Sequence, residues 1–226
     1  MSGYLLKSAR YLAQEALERA ILPGDHVVDA TAGNGHDTEF LCRLVGESGR
    51  VYAFDLQESA IESTRVRLMN AGLLDRATLI HTGHEAMAEH VRAEVSAVVF
   101  NLGWLPGGDH TVTTRWETTR TAVEAALGLL KPGGVITICA YPGHDEGERE
   151  RQELIAYLSA LDNRQYNVLE QRFLNAGSGA PECFIVQKIG KGNTDESAPS
   201  TGGDRESQEV GNASGGKHKS VENRTP

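Results

Sequence analysis

Apolar and polar positions along residues 4–190 follow two alternating patterns, one typical of helices and the other of strands. Apolar residues three and four positions apart over 4–21 predict a helix that ends at Pro23-Gly24. Short apolar runs predict strands, and the amphipathic segments between them predict further helices. Strands are predicted at 26–30, 50–55, 78–80, 95–101, 135–141, 166–173 and 183–189, and helices after residue 38 and at 59–70, 118–130 and 148–161.

Strands that alternate with helices predict an α/β fold, Rossmann-like, with a mostly parallel central sheet and helices on both faces. The last two strands follow one another directly, so they are predicted to form an antiparallel hairpin at one edge of the sheet. Ligands of such folds bind beyond the carboxyl ends of the central strands. Polar residues at those ends are therefore the candidates for a functional site.

The composition changes near the end of the chain. From Gly190 to Pro226 there is no Leu, Ile, Met or aromatic residue. Such a segment cannot bury enough apolar area to offset the entropy lost on ordering. The sequence therefore predicts one folded domain over 1–189 and a disordered polar tail over 190–226.

Composition and charge narrow the class of protein. No apolar run in the 226 residues approaches the ~20 residues of a membrane span. No signal peptide is visible, and the three cysteines have no paired spacing. These features predict a cytoplasmic protein with buried reduced thiols, no metal site and no membrane partner. The net charge of −9 argues against a uniformly basic surface but leaves room for a local basic patch.

The turn between the first strand and the next helix is glycine-rich. Gly33 and Gly35 lie in the segment 27–38, which runs from an apolar strand into an amphipathic helix. This layout brings a nucleotide-like ligand close to bare backbone. A dinucleotide fingerprint would need a third glycine where Thr38 stands, and no phosphate-binding P-loop is present. An NAD(P) oxidoreductase is therefore disfavoured.

Three acids surround this turn. Asp29 precedes it, Asp37 follows it, and Asp55 ends the second strand about 20 residues after it, where an acid accepts hydrogen bonds from a ribose. Acids at all three positions would repel a pyrophosphate. They suit a ligand with a cationic centre, an ammonium group and a ribose, which indicates S-adenosyl-L-methionine. Solvated acids around an ordinary turn explain one such position more easily than three.

Polar and aromatic residues also follow the later strands. Asn101 ends the fourth strand and can accept a hydrogen bond from an amine, and Trp104 after it can stack on a flat base. Proton acceptors are predicted among Asp109 or His110 in the same loop and His144 after the fifth strand. The third strand ends near His84, which is expected beside the adenine or simply at a helix start.

Four strings, at 27–38, 52–58, 100–109 and 173–175, together resemble the bacterial "putative rRNA methylase" family. That family comprises class I methyltransferases dependent on S-adenosyl-L-methionine. It is associated with the methyl transfer that completes 5-methylaminomethyl-2-thiouridine at the tRNA wobble position. The resemblance covers about residues 5–188 and leaves the tail outside.

The resemblance implies roles for particular residues. Asn34 and Asp37 would contact the methionine part of the cofactor, Asp55 and Gln57 the ribose and its surroundings, and Gly83 and His84 the adenine. Two positions depart from the family. Gly83 stands where Ser is common, and Pro142 stands where a histidine is common. The predicted cofactor-binding residues are Asp29, Gly33, Asn34, Gly35, Asp37, Asp55, Gln57, Gly83 and His84.

The predicted acceptor side consists of catalytic and substrate-binding residues. Asn101 is expected to orient the amine, Asp109 or His144 to accept a proton, and Trp104, Tyr141 and Arg115 to bind substrate. Three further arginines can contact RNA phosphates or merely cover solvated helix faces: Arg120, Arg149 and Arg151. The expected partner is the anticodon region of tRNA. A methyltransferase of rRNA or of a small amine, and a non-catalytic cofactor-binding protein, stay open, as does a homodimer.

Overall fold

A computed structural model of the chain describes residues 8–105, 107, 112–177 and 179–190. Within them, six α-helices and seven strands alternate until two strands come in succession. The elements are α1 (Ala9–Ala20), β1 (His26–Asp29), α2 (His36–Val45), β2 (Arg50–Asp55), α3 (Glu58–Ala71), β3 (Ala77–His81), α4 (Met87–His90), β4 (Val95–Leu102), α5 (Trp116–Leu129), β5 (Leu130–Ala140), α6 (Asp145–Ser159), β6 (Tyr166–Gln171) and β7 (Glu182–Lys188).

The seven strands form one sheet in the order β3-β2-β1-β4-β5-β7-β6. Strands β1 to β5 pair in parallel, while β7 pairs antiparallel with β5 on one side and β6 on the other. The predicted α/β class, the mostly parallel sheet and the C-terminal antiparallel pair are thus confirmed.

The central position of β4 in the sheet agrees with the burial of its residues. Every residue of β4 except Asn101 is buried, because helices cover both faces of the sheet. Alternate residues of the strands enter opposite halves of the core. Val27 packs with residues of α1, α2 and α3, whereas its neighbour Val28 packs with residues of α5 and α6.

Several element boundaries differ from the prediction. Helix α6 begins at Asp145, three residues before the predicted start at 148, and the short helix α4 was not predicted. Helix α3 begins at Glu58, one residue before the predicted start at 59, with Gln57 as its N-cap residue.

Cys42, Cys139 and Cys183 are buried and form no disulfide, as the apolar pattern around them predicts. None of the helices in the described part of the chain combines the length and apolar character that a bilayer span requires. The tail beyond Gly190 lies outside the described residues, so its disorder and the domain boundary stay predictions.

Candidate functional site

A cavity of about 840 Å³ opens at the carboxyl ends of the central strands. Its walls come from the turn after β1, the ends of β2, β4 and β5, and the segments that follow them. It brings together residues far apart in the sequence. The predicted site residues that line it are Gly33, Asn34, Asp37, Asp55, Gln57, Gly83, His84, Asn101, Trp104, Arg115, Tyr141 and His144.

Gly35 does not line this cavity, although its neighbours Asn34 and His36 do, and its contact with the cofactor stays a prediction. It has a left-handed backbone with φ of 77°, and a Cβ built on it would lie 2.8 Å from the Cα of Thr64 on α3. The Thr64 hydroxyl donates a hydrogen bond of 3.1 Å to the carbonyl of Gly33. Gly35 therefore lets the turn pack against α3, and Thr64 fixes the turn from behind.

Asp29 is also placed differently from the prediction, because it is fully buried beneath the turn. Its carboxylate accepts hydrogen bonds from the hydroxyl of Thr38 at 2.6 Å and from the backbone N–H of Thr31 at 3.1 Å. Burial, and after it the charge of Asp37, raises the pKa of Asp29 to about 7. Asp29 thus supports the turn instead of touching a ligand. Thr38, at the position of the missing third glycine, is its partner.

Asp55 faces the cavity and also braces the turn. One carboxylate oxygen accepts the backbone N–H of Gly33 at 2.9 Å, and the other accepts that of Gln57 at 2.9 Å. Each oxygen of an ionised carboxylate can accept a further hydrogen bond. Asp55 can therefore hold the turn and still receive ribose hydroxyls, the role predicted for it.

Replacing Asp55 by alanine is expected to weaken binding of S-adenosylhomocysteine (SAH) by about 1.5–3 kcal/mol, the usual loss for hydrogen bonds to a charged group. Calorimetric titration of the folded variant measures this loss. Asp75→Ala removes an exposed acid that precedes β3 and serves as the control. Equal affinities of the two variants would contradict a ribose role for Asp55.

The wall near the end of β3 carries a buried histidine. His84 is only 7% exposed, and its ring meets the ring of Phe100 edge-on at 5.7 Å. Burial lowers the pKa of His84, so the ring is neutral, and it hydrogen-bonds the backbone of Ala30. At the neighbouring Gly83, a side chain would meet the flexible carboxylate end of Glu85. This wall offers a flat ligand the buried, neutral ring of His84, with the Glu85 carboxylate beside Gly83.

A hydrogen-bonded network around Asp37 joins the cofactor turn to the end of β4. Its Oδ1 accepts hydrogen bonds from Arg10 Nε at 3.0 Å and Gln14 Nε2 at 3.2 Å, and its Oδ2 accepts Asn101 Nδ2 at 2.9 Å. Sequence reasoning missed Arg10 and Gln14. Their spacing of four residues, which puts two polar side chains on one face of α1, is the signal that could have found them.

The same network sets the orientation of the Asn101 side chain. Because its amide nitrogen donates to Asp37, its carbonyl oxygen is the atom presented to an incoming donor. The Asn101 backbone N–H in turn donates to the hydroxyl of Thr31 at 2.8 Å. Asn101 is thus held at both its backbone and its side chain, on the wall of the cavity.

The segment after β4 is anchored at both of its described ends. Trp104 forms an isolated antiparallel bridge with Thr113, and the Thr114 hydroxyl accepts the N–H of Gly103 at 2.8 Å. Thr114 then donates to Glu150 at 2.7 Å. Burial raises the pKa of Glu150. Sequence reasoning missed this anchor because Glu150 is one of many acids in α6.

His144 caps a helix, and this contact competes with its predicted role as a proton acceptor, which stays a prediction. Its Nδ1 accepts the backbone N–H of Gly147 at 3.1 Å at the start of α6. A neutral imidazole that accepts at Nδ1 carries its proton at Nε2, so neither nitrogen can take a proton while the cap persists. The ring packs on Trp104 with centroids 4.3 Å apart. The other candidates, Asp109 and His110, lie outside the described residues.

His144→Asn is expected to retain both the fold and the pH dependence of methyl transfer, because Asn is a strong N-cap residue. His144→Ala should lose about 1 kcal/mol of stability through the missing cap. Rate–pH profiles and thermal unfolding of the two variants measure these effects. A pH limb that disappears in both variants would restore His144 as the base.

The arginines separate into two groups. Arg115 is exposed and lines the cavity, so it can meet a phosphate. Arg151 instead contacts both carboxylate oxygens of Glu182 and is held inside the fold, so a phosphate contact is wrong for it. Arg120 and Arg149 form surface ion pairs with Glu124 and Glu117.

Tyr141 ends the wall on the β5 side and is 36% exposed. Burial, and after it the nearby Cys139, raises the pKa of Tyr141 to about 12. Its phenol therefore stays protonated at neutral pH and can donate a hydrogen bond into the cavity. It cannot act as a base there.

Comparison of the sequence with known proteins identifies a family and a related protein. The family model described as "Putative rRNA methylase" matches residues 51–187. A chloroplastic tRNA (mnm(5)s(2)U34)-methyltransferase from Arabidopsis thaliana is 39% identical over 204 residues, which are 82% of this chain and 72% of that protein.

Solved structures agree with the observed sheet. A protein from Clostridium thermocellum, described as a "putative rRNA-methylase", superposes with a TM-score of 0.81 at 41% identity and covers 82% of this chain and 100% of its own. A "putative methyltransferase" from Streptococcus mutans in complex with SAH superposes with a TM-score of 0.75 at 32% identity, over 82% of this chain and 100% of its own.

Proposed function

This chain belongs to the family described as "Putative rRNA methylase", and from that premise we propose that it N-methylates an exocyclic amine at the wobble uridine of tRNA. The chain is a methyltransferase, and its methyl donor is S-adenosyl-L-methionine. The proposed reaction converts 5-aminomethyl-(2-thio)uridine into 5-methylaminomethyl-(2-thio)uridine.

The residues on the cavity wall fit this cofactor. Asp55 offers carboxylate oxygens to a ribose, and the neutral wall at His84 suits an adenine. Asp37 and Asn34 lie beside the glycine turn, where the methionine part would bind. When bound, the cofactor supplies a methyl group that its sulfonium already makes electrophilic. The protein's task is therefore mainly to position the amine.

The observation that carries this proposal is the fixed amide of Asn101. Asp37 holds its nitrogen, which leaves its carbonyl oxygen as an acceptor for an N–H of the substrate, and Asn101 lines the cavity. A hydrogen bond from one N–H of a neutral amine would turn the nitrogen lone pair towards the methyl donor. Asp109, in the same segment, stays the predicted proton acceptor.

The wall next to Asn101 suits a nucleobase. Trp104, whose ring packs on that of His144 at a tilt of 36°, offers an aromatic surface, and base–aromatic stacking contributes about 1–3 kcal/mol per base. Arg115 at the rim can meet the phosphate of the same nucleotide.

The alternatives are separated by their need for this acceptor wall. A non-catalytic cofactor-binding protein would not need the fixed amide at Asn101 or the aromatic surface beside it. A small-amine methyltransferase would not need that surface or Arg115. The name of the Arabidopsis relative favours tRNA over the rRNA of the family's description. A cytoplasmic location and a homodimer stay predictions, and that relative is named as chloroplastic.

The experiment that tests the substrate class offers radiolabelled S-adenosyl-L-methionine together with one of three acceptors. These are tRNA carrying 5-aminomethyl-2-thiouridine, ribosomal RNA lacking modifications, and a small primary amine. Label is expected in the tRNA alone, and tRNA carrying unmodified uridine is the control. Label in ribosomal RNA or in the amine alone would replace the proposed substrate while leaving the methyltransferase assignment intact.

A further inference from the structure

The cofactor carries a carboxylate for which the acid-rich turn offers no counter-charge. At neutral pH, S-adenosyl-L-methionine has a sulfonium, an ammonium and a carboxylate. Asp37 suits the ammonium, and the negative charges of Asp37 and Asp55 would repel the carboxylate. Two of the turn's backbone donors are already used, since the N–H of Gly33 binds Asp55 and that of Gly35 binds the carbonyl of Ala32. A cationic side chain would supply the counter-charge that this turn lacks.

Among the described residues, Arg10 and Arg115 are the arginines or lysines that line the cavity. Arg115 is the N-cap residue of α5, on the acceptor side. Arg10 lies against Asp37, two residues beyond the glycine turn. The ammonium and carboxylate of an amino acid share one carbon. An ammonium drawn towards Asp37 therefore brings its carboxylate close to Arg10.

The geometry of the Arg10–Asp37 pair leaves donors for a second acceptor. Nε and Nη2 both contact the same oxygen of Asp37, at 3.0 and 2.9 Å, and neither contact uses Nη1. The Arg10 side chain is 39% exposed. A guanidinium presents five N–H groups in a rigid plane, so it can hold one carboxylate while donating to another.

We propose that Arg10 binds the carboxylate of the methionine part, with Asp37 holding the guanidinium in place. This inference rests on the proposed function, because it deepens the same cofactor site. Asp37 also orients Asn101, so it links the residue at the cofactor's carboxylate to the residue at the substrate amine.

The test compares two ligands that differ in the carboxylate alone. Decarboxylated S-adenosylmethionine keeps the sulfonium, the ammonium and the adenosyl part. In calorimetric titrations, Arg10→Met is expected to weaken the binding of S-adenosyl-L-methionine about ten- to a hundredfold. This is the range for losing a hydrogen bond between charged groups. Its affinity for the decarboxylated ligand should stay close to that of the wild type. Arg10→Lys keeps the positive charge but not the planar guanidinium, so it should lose less affinity for S-adenosyl-L-methionine than Arg10→Met does.

Gln14→Met is the matched control. Gln14 also donates to Asp37 Oδ1 but does not line the cavity. Its loss therefore loosens Asp37 without removing a cation, so any loss of affinity should be small and equal for the two ligands.

An Arg10→Met variant that weakens both ligands equally would show that Arg10 acts only through Asp37 and would overturn the proposal. Wild-type protein that binds neither ligand would instead overturn the cofactor site itself. If Arg10→Met does not fold, Arg10→Lys decides: a loss confined to S-adenosyl-L-methionine supports the contact, and no loss contradicts it.

Discussion

Asn101→Ala is expected to lower the rate of single-turnover methyl transfer about 100-fold or more, since small losses of alignment at a reacting centre have effects of that size. Affinity for SAH should change by less than roughly threefold, because the proposed contact is with the amine. The structural basis is the amide fixed by Asp37 on the wall of the cavity.

The measurement pairs SAH titration with single-turnover methylation at saturating cofactor. Ser96→Ala, at the opposite end of β4, is the control, because its hydroxyl contacts the backbone of His26 and the side chain of Asp25, neither of which lines the cavity. An Asn101→Ala variant that binds cofactor poorly but transfers methyl normally once saturated would make Asn101 a cofactor residue. The proposed acceptor site would then be misplaced.

Gly35→Ala is expected to destabilise the protein by about 2–5 kcal/mol. A left-handed backbone costs a residue with a Cβ about 1–2 kcal/mol, and forced displacement of packed atoms costs about 1–3 kcal/mol. The new Cβ would meet the backbone of Thr64, which cannot move without α3. Displacing the turn would also shift Gly33 and Asn34, so SAH affinity should fall about tenfold or more.

Gly72→Ala is the matched control for this variant. Gly72 is also left-handed, with φ of 67°, but a Cβ there would meet no atom within 4 Å. It should therefore lose about 1–2 kcal/mol and keep its cofactor affinity. Chemical unfolding and SAH titration of both variants measure the difference. Equal stability of the Gly35→Ala and Gly72→Ala variants would mean that the turn is not tightly packed against α3.

The architecture could be predicted because it depends on local patterns of apolar and polar residues. The continuous apolar run of β4 indicates a strand covered on both faces, and Asn101 at its end interrupts that run. Once strands alternate with helices, parallel topology places their carboxyl ends together. Residues at four strand ends were thus expected in one site, and the cavity lies there.

The wrong assignments arose where a role depends on contacts between distant elements. Asp29 and Asp55 both end strands. The Asp29 carboxylate is buried and accepts a hydrogen bond from Thr38, whereas Asp55 faces the cavity. His144 looked like a loop base because α6 was predicted to begin three residues late, which hid its place at the N-cap. Arg10 reaches Asp37 only because α1 docks beside β5 and β7, and periodicity alone does not show where a helix docks.

The most direct test of the central claim identifies the atom that receives the methyl group. Purified protein is incubated with trideuteromethyl-labelled S-adenosyl-L-methionine and tRNA carrying 5-aminomethyl-2-thiouridine, and the digested nucleosides are analysed by mass spectrometry. We expect the deuterated methyl on the exocyclic amine of the wobble nucleoside, as 5-methylaminomethyl-2-thiouridine. Label on a ribose or ring atom, or a wobble nucleoside left unlabelled by protein that binds SAH, would contradict the proposed reaction.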